Sequence, residues 1–194
     1  MLLEGVRVGF AMTGSFCTFA KTIPQVQILV NEGAEVIPII SESVNEFDTR
    51  FGTAEDLKNT LQTITGKKPI NTIVEAEPIG PKALLDILVI APCTGNTIAK
   101  IANAITDGPV TMACKAHLRN MRPVVIAVST NDGLSANAKN IGTLLNMKNI
   151  YMVPFGQDDP IKKCTSLVAD FDQLLPAVLS ALQNSQMQPI LIHK

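Results

Sequence analysis

The sequence predicts an α/β fold: three layers, an open and mostly parallel sheet with helices on both faces. Three observations predict it. Short runs rich in Val and Ile alternate about five or six times with longer amphipathic segments, the pattern of repeated strand-helix units. One run, Asp86–Pro92 (DILVIAP), is apolar almost without interruption, as in a strand covered on both sides. Turns rich in hydroxyls, amides and glycine follow the strand-like runs, where such sheets place their ligands.

The elements follow in order. Residues 6–12 (VRVGFAM) read as the first strand and 19–33 as a helix closed by Gly33. Pro24 inside that helix would disturb its ladder, so the helix is expected to begin near Thr22, with Thr22 or Ile23 near its cap. Residues 34–40 (AEVIPII) form the second strand, and 41–52 a polar loop. Thr53 caps the next helix, with Glu55 and Asp56 at its positive end. Residues 72–74 (TIV) read as a short strand and 80–85 as a helical turn before the buried strand at 86–92. Helices are expected over 97–105 and 108–120, the latter with Pro109 near its first position. Residues 123–130 (PVVIAVST) form a strand, 135–147 a helix and 150–155 the last core strand. The tail, 159–183, reads as mostly helix interrupted by Pro176. The chain is thus expected to form a single domain over 1–194, Rossmann-like or flavodoxin-like, with a core at about 5–155 and a C-terminal helical segment at about 159–184.

Bulk properties narrow the function. Sixteen basic against 17 acidic residues, with no basic block, offer no electrostatic footprint for nucleic acid. No apolar run approaches the roughly 18 residues of a membrane span. A mean hydropathy of +0.26 with 46% hydrophobic residues points to apolar surface used in subunit contacts, hence a homo-oligomer. The start, MLLEGVRVGFAMTG, does not read as a signal peptide. Cys17, Cys93, Cys114 and Cys164 lie far apart without metal-ligand spacing, so reduced thiols in the cytoplasm and no metal site are expected.

Four strand-end turns are therefore the candidate site: Met12–Ser15, Ser41–Ser43, Pro92–Thr97 and Ser129–Gly133. They suit an anion or an uncharged polar ring held by backbone N–H groups and hydroxyls. Thr13-Gly14-Ser15 is neither the dinucleotide fingerprint nor a Walker loop, and an ordinary capped turn is the competing reading. Cys93 lies near a helix N-terminus, yet a nucleophile needs a base. His117 falls inside a helix and His193 beside the terminus. Cys93 therefore reads as a small residue filling a tight turn, and His117 as a helix-surface or packing residue rather than a catalytic base. Asn96 can cap the helix or bind a polar ligand edge, and both remain open. The binding candidates are Thr13, Gly14, Ser15, Ser41, Pro92, Thr94, Asn96, Thr97, Ser129 and Thr130. No catalytic base is assigned; Glu42, Glu77 and Asp132 are candidates by position only.

Thr13-Gly14-Ser15 after strand one, Ser41 after strand two and APCTGNTIAKIANAITDGP (91–109) together resemble the flavin-dependent flavoprotein family. That family includes phosphopantothenoylcysteine decarboxylase and the lantibiotic-processing cysteine decarboxylases. Its Pro-Ala-Ser-Ala-Asn-Thr mark is replaced here by Pro92-Cys93-Thr94-Gly95-Asn96-Thr97. The resemblance spans most of 5–155 and implies FMN, with its phosphate at Gly14, Ser15 and Ser41. Thr94, Asn96 and Thr97 would then flank the phosphate or the ring, and Ser129 and Thr130 would close the pocket. Two departures stand out. The decarboxylases carry a catalytic His about fourteen residues before the motif proline, where this chain has Glu75-Ala76-Glu77-Pro78-Ile79. They also carry Pro-Ala-Met-Asn where this chain has Ser129-Thr130-Asn131-Asp132.

Within the family the whole chain is similar to the B-type subunits of a two-subunit oxidoreductase of spore-forming bacteria. That resemblance implies NADP-dependent oxidation of a dihydropyridine dicarboxylate to its aromatic form in the mother cell. The resemblance also implies a companion A-type subunit that carries the nucleotide-binding fingerprint and takes NADP, and the family resemblance implies a trimer or a trimer-based dodecamer. Lys100, Lys115, Arg119 and Arg122 are the cations available for a dicarboxylate. The alternatives are a flavin-dependent decarboxylase, weakened by the missing His, and a non-catalytic assembly subunit.

Overall fold

The computed structural model describes residues 1–193. Five strands lie parallel: β1 (Arg7–Met12), β2 (Glu35–Ile40), β3 (Ile87–Cys93), β4 (Val124–Thr130) and β5 (Ile150–Met152). β1 lies between β2 and β3, and β4 follows β3. Two antiparallel strands, β6 (Phe155–Asp159) and β7 (Lys163–Ala169), extend the sheet. β4 is long enough to serve both groups: residues 124–126 pair with β5, and Ser129 and Thr130 pair with β7.

Helices α1 (Phe19–Asn31), α3 (Ala54–Thr65) and α8 (Leu174–Leu182) pack together on one face. The short α4 (Ile73–Ala76), then α5 (Gly95–Ala102), α6 (Pro109–Leu118) and α7 (Ala138–Leu145), pack on the other. A further short helix, α2 (Glu42–Glu46), follows β2. All seven residues of β3 are buried, as a central strand of a two-sided sheet requires. Phe10, Leu88, Ile90 and Ile126 are wholly inaccessible, each such side chain contributing about 1.5–3 kcal/mol by leaving water. At the strands' N-terminal end, Arg7 grips Asp86 through two bonds (2.7 and 3.0 Å), and Arg122 reaches the same carboxylate at 3.1 Å. The Arg7 guanidinium holds the Asp86 carboxyl below its usual range. The opposite, C-terminal end of the sheet is left for the site.

Several elements differ from expectation. α1 begins at Phe19, not Thr22, and carries Pro24 inside. Pro24 and Ala20, whose carbonyl goes unpaired, both lie on the exposed side, where water can satisfy it. Residues 72–74 are not a strand: Thr72 Oγ1 accepts the Glu75 N–H at 3.2 Å, and the Glu75 carboxylate accepts from the Thr72 hydroxyl at 3.0 Å. That cap starts α4 and overrides the β preference of Thr-Ile-Val. The helical segment expected over 159–184 is half hairpin: β6 and β7 turn at Asp159, whose Oδ1 accepts the N–H groups of Ile161 and Lys162. Helix is confined there to a 3₁₀ turn at Phe171–Gln173 and α8, and Pro176 lies in the first turn of α8, where no intrahelical donor is needed. Ile150–Phe155 is accordingly not the last strand.

The C-terminal segment pairs along β6, with Phe155 N–H donating to Ile190 O and Ile192 N–H to Phe155 O, both at 3.0 Å. A Cβ at Gly156 would run into the Ile192 carbonyl oxygen. Gly156→Ala is therefore expected to lift this segment away. Faster amide exchange at Ile192 is the readout, and unchanged exchange would contradict it.

Candidate functional site

The first and third turns are sewn together by one hydroxyl. Thr13, 1% exposed, donates from Oγ1 to the Pro92 carbonyl at 2.7 Å and accepts the Thr94 N–H at 2.9 Å. Its own N–H also donates to Pro92 O, at 3.2 Å. Thr13→Val keeps the shape and removes both hydroxyl bonds, so it is expected to cost about 1–3 kcal/mol in thermal unfolding. A variant as stable as the parent would remove Thr13 from this role.

Thr94 is the N-cap of α5, its Oγ1 accepting the Thr97 N–H at 3.4 Å and lying 3.2 Å from Thr97 Oγ1. This resolves half of the Asn96 alternative, because Thr94 and not Asn96 caps the helix. Among the described residues, the N–H groups of Gly14, Gly95 and Asn96 donate to no protein atom, and the exposed Asn96 amide has no protein partner. Two free N–H groups and a free amide at the N-terminus of α5, with the Gly14 N–H of the first turn, form a donor set for an anionic or polar group. A Cβ at Gly14 would stand 2.9 Å from Ser43 Oγ, so backbone, not side chain, faces this cradle.

A second network supports it from behind. Thr130 Oγ1 donates to Asp132 Oδ1 at 2.5 Å, and Asn137 Nδ2 to Asp132 Oδ2 at 2.7 Å. Asn140 then donates to Asn137 Oδ1 at 2.8 Å. The backbone of Gly95 presses against these groups: a Cβ there would meet Thr130 Oγ1, Asn137 Nδ2 and Asp132 Oδ1 at 2.5–2.7 Å. Ser15 and Ser129 join the first turn to the fourth through hydroxyls 2.8 Å apart.

Two openings share Gly14, Thr94 and Asn96. One, of about 270 Å³, also has Thr13, Ser41 and Thr97 in its wall. The other, a groove of about 970 Å³, has Ser15, Ser129 and Thr130. Nine of the ten sequence candidates thus line one joined cleft; the tenth, Pro92, lies beneath it and acts through its carbonyl. Glu42 and Lys100 line the smaller opening, where Lys100 is held by Asp107 at 2.8 Å. Asp132 lines the groove, Glu77 lines neither, and Arg122 is engaged with Asp86 at the far end of the sheet.

Cys93 is buried in the core, and its Sγ donates to Thr94 O at 4.0 Å. Burial, with Cys114 nearby, pushes its thiol well above the ordinary value, which disqualifies it as a nucleophile at neutral pH. His117 is fully buried, with Nε2 3.0 Å from Pro123 O, at the N-terminal end of β4. It lines neither opening of the cleft.

Sequence reasoning missed the residues that the hairpin brings to the groove, namely Asp158, Lys163 and Ser166. It also missed Lys21, Arg50 and Asn137. The Asp159-Pro160 pair, a turn signal between polar residues, could have revealed the hairpin.

The family model described as Flavoprotein matches residues 2–183. Over 190 residues the chain is 50% identical to the B subunit of dipicolinate synthase from Bacillus subtilis (strain 168), covering 98% of this chain and 95% of that one. A crystal structure of the dipicolinate synthase B subunit from Bacillus halodurans C superposes with a TM-score of 0.92 at 47% identity, over the whole of both chains. The FMN-dependent cysteine decarboxylase SpaF shares the fold, with a TM-score of 0.67 at 23% identity over 94% of this chain and 98% of that one.

Proposed function

The chain belongs to the Flavoprotein family, and we propose that it is the B subunit of a dipicolinate synthase that holds FMN in the cleft. In this reading it works with an A subunit that carries NADP, oxidising dihydrodipicolinate to dipicolinate in the mother-cell cytoplasm during sporulation. The observation that carries it is the convergence of free N–H groups and hydroxyls from four strand ends on one cleft. Identity to dipicolinate synthase B subunits along nearly the full length supports the choice of reaction.

The donor set fits the group. Gly14 N–H and the hydroxyls of Ser15 and Ser41 would hold the phosphate. The Gly95 and Asn96 N–H groups at α5 would add the helix field, and the Asn96 amide would take a polar ring edge. Bound there, FMN supplies two-electron chemistry that no side chain of this chain provides. The chain's own work is placement: Thr13 keeps the two turns in register, and Asp132 holds Thr130 and Asn137 against Gly95.

The decarboxylase alternative finds no histidine in this cleft, since residues 75–79 fold as the end of α4 and a 3₁₀ turn, and His117 faces Pro123. The test is direct. The purified protein is expected to show flavin absorbance, to release FMN on denaturation, and to form dipicolinate from dihydrodipicolinate and NADP with the A subunit. No flavin and no product in that mixture would overturn the reading. A colourless protein that is still required for the A subunit's activity would favour the assembly role. Light scattering is expected to give a trimer or a multiple of it, and a clean monomer would count against the assembly.

A further inference from the structure

The groove carries charge that the cradle does not use. α1, the loop after α2 and the β6–β7 hairpin bring Lys21, Arg50 and Lys163 to its wall. Two carboxylates share it. Asp132 already accepts bonds from Thr130 and Asn137, and Asp158 pairs with Lys163 at 2.5 Å. Among the described residues, Lys21 and Arg50 make no ion pair. The Arg50 guanidinium carbon lies 4.8 Å from the centre of the Phe51 ring, so its planar fork is steadied beside an aromatic face. Phe16 adds a second ring to the same wall, and Ser129 and Ser166 add hydroxyls.

This combination has a defined chemical complement. Cations attract anions, Arg binds a carboxylate with two parallel bonds, and ring faces favour a flat partner. The cations put forward from sequence do not offer it. Lys100 lines the smaller opening instead, and Lys115, Arg119 and Arg122 line neither opening.

We propose that Arg50, Lys21 and Lys163 form the carboxylate-binding wall of the groove, taking a planar aromatic dicarboxylate of the pyridine-2,6-dicarboxylate class. The proposal rests on the dipicolinate synthase reading and assigns the substrate end of that cleft. Arg50 sets specificity, because its fork engages one carboxylate while Lys21 and Lys163 attract the other. Because these groups are exposed, the attraction weakens with salt.

The test titrates the full-length protein calorimetrically with pyridine-2,6-dicarboxylate and with pyridine-2-carboxylate, and separately with FMN by visible absorbance. The wild type is expected to prefer the dicarboxylate by about tenfold, and Arg50→Gln and Lys163→Gln to weaken it by about tenfold each. Lys148→Gln, away from the groove, is expected to change nothing. FMN uptake is expected to be the same in all four proteins. A wild type that does not bind the dicarboxylate, or variants that bind it unchanged, overturns the proposal. Loss of FMN with the dicarboxylate retained also overturns it, because the wall would then serve the flavin phosphate. The two readings fail separately. Normal flavin uptake with unchanged dicarboxylate affinity removes only the wall. Charge-dependent dicarboxylate binding by a protein that never takes up flavin removes only the cofactor.

Discussion

Gly95→Ala is expected to lower stability by about 3 kcal/mol and to weaken FMN binding by at least about tenfold. The added Cβ would sit 2.5 Å from Thr130 Oγ1, 2.6 Å from Asn137 Nδ2 and 2.7 Å from Asp132 Oδ1. These atoms cannot step aside independently, since Asp132 bonds both of the others and Asn140 holds Asn137. Either the network opens, leaving polar atoms unpaired, or α5 shifts and takes the free Gly95 and Asn96 N–H groups with it. The same substitution at Gly142 should have the opposite sign. Gly142 lies within α7 with nothing within 4 Å of its Cβ position. Alanine there removes backbone freedom from the unfolded chain and should add about 0.5–1 kcal/mol. Denaturant midpoints for the two variants, with flavin titration of each, check both expectations. Equal stability and flavin affinity for Gly95→Ala would show that the close approach is not needed.

The contrast between these glycines shows what is legible in the sequence. The turn at Pro92–Thr97 could be read because its chemistry is local: a buried strand, a hydroxyl cap and a helix start are all written within ten residues. What Gly95 packs against could not, because Thr130, Asp132 and Asn137 come from a strand end and a helix start more than thirty residues away. The tail misled for a physical reason. Leu167, Phe171, Leu174 and Val178 recur at helical spacing, but Leu167 lies in β7 and Phe171 in a 3₁₀ turn, and only the last two lie in an α-helix. The strand half depends on β4 continuing past the end of β5, which exposes Ser129 and Thr130 for antiparallel pairing with β7. No local pattern announces that length difference. Because the hairpin was hidden, Lys163 and Ser166 were hidden with it, and so was the charged wall of the groove. The residues of the cradle were legible and those that surround the cradle were not. Propensity and capping act within a turn of chain, whereas the wall is made by tertiary pairing.

The protein is also expected to lose about 3 kcal/mol of stability between about pH 7 and pH 4 through one side chain, His117. It is wholly buried; Nε2 meets the Pro123 carbonyl at 3.0 Å, and Nδ1 has no hydrogen-bond partner among the described residues. Burial pushes its pKa down from 6.5 to about 4; the Pro123 carbonyl and Asp86 oppose that shift, and Arg122 adds to it. The sign follows from which state takes the proton. Above pH 6.5 the imidazole is neutral in both folded and unfolded chains, and its full contribution is present. As pH falls below 6.5 the unfolded chain binds a proton that the folded one refuses, so stability declines until the folded pKa near 4 is passed. Asp86, whose carboxyl Arg7 holds low, loses its contribution only below its unfolded value of 3.8, outside this window. His117→Leu removes the proton site at similar volume and orphans no acceptor, because Pro123 O keeps the Leu88 N–H at 3.1 Å. Urea unfolding of both proteins at several pH values across this range should give a falling curve for the parent. The variant's curve should be flatter by about 3 kcal/mol over the range. Parallel curves would mean that His117 takes its proton in the folded state as easily as in water, and that helix α6 opens to admit it.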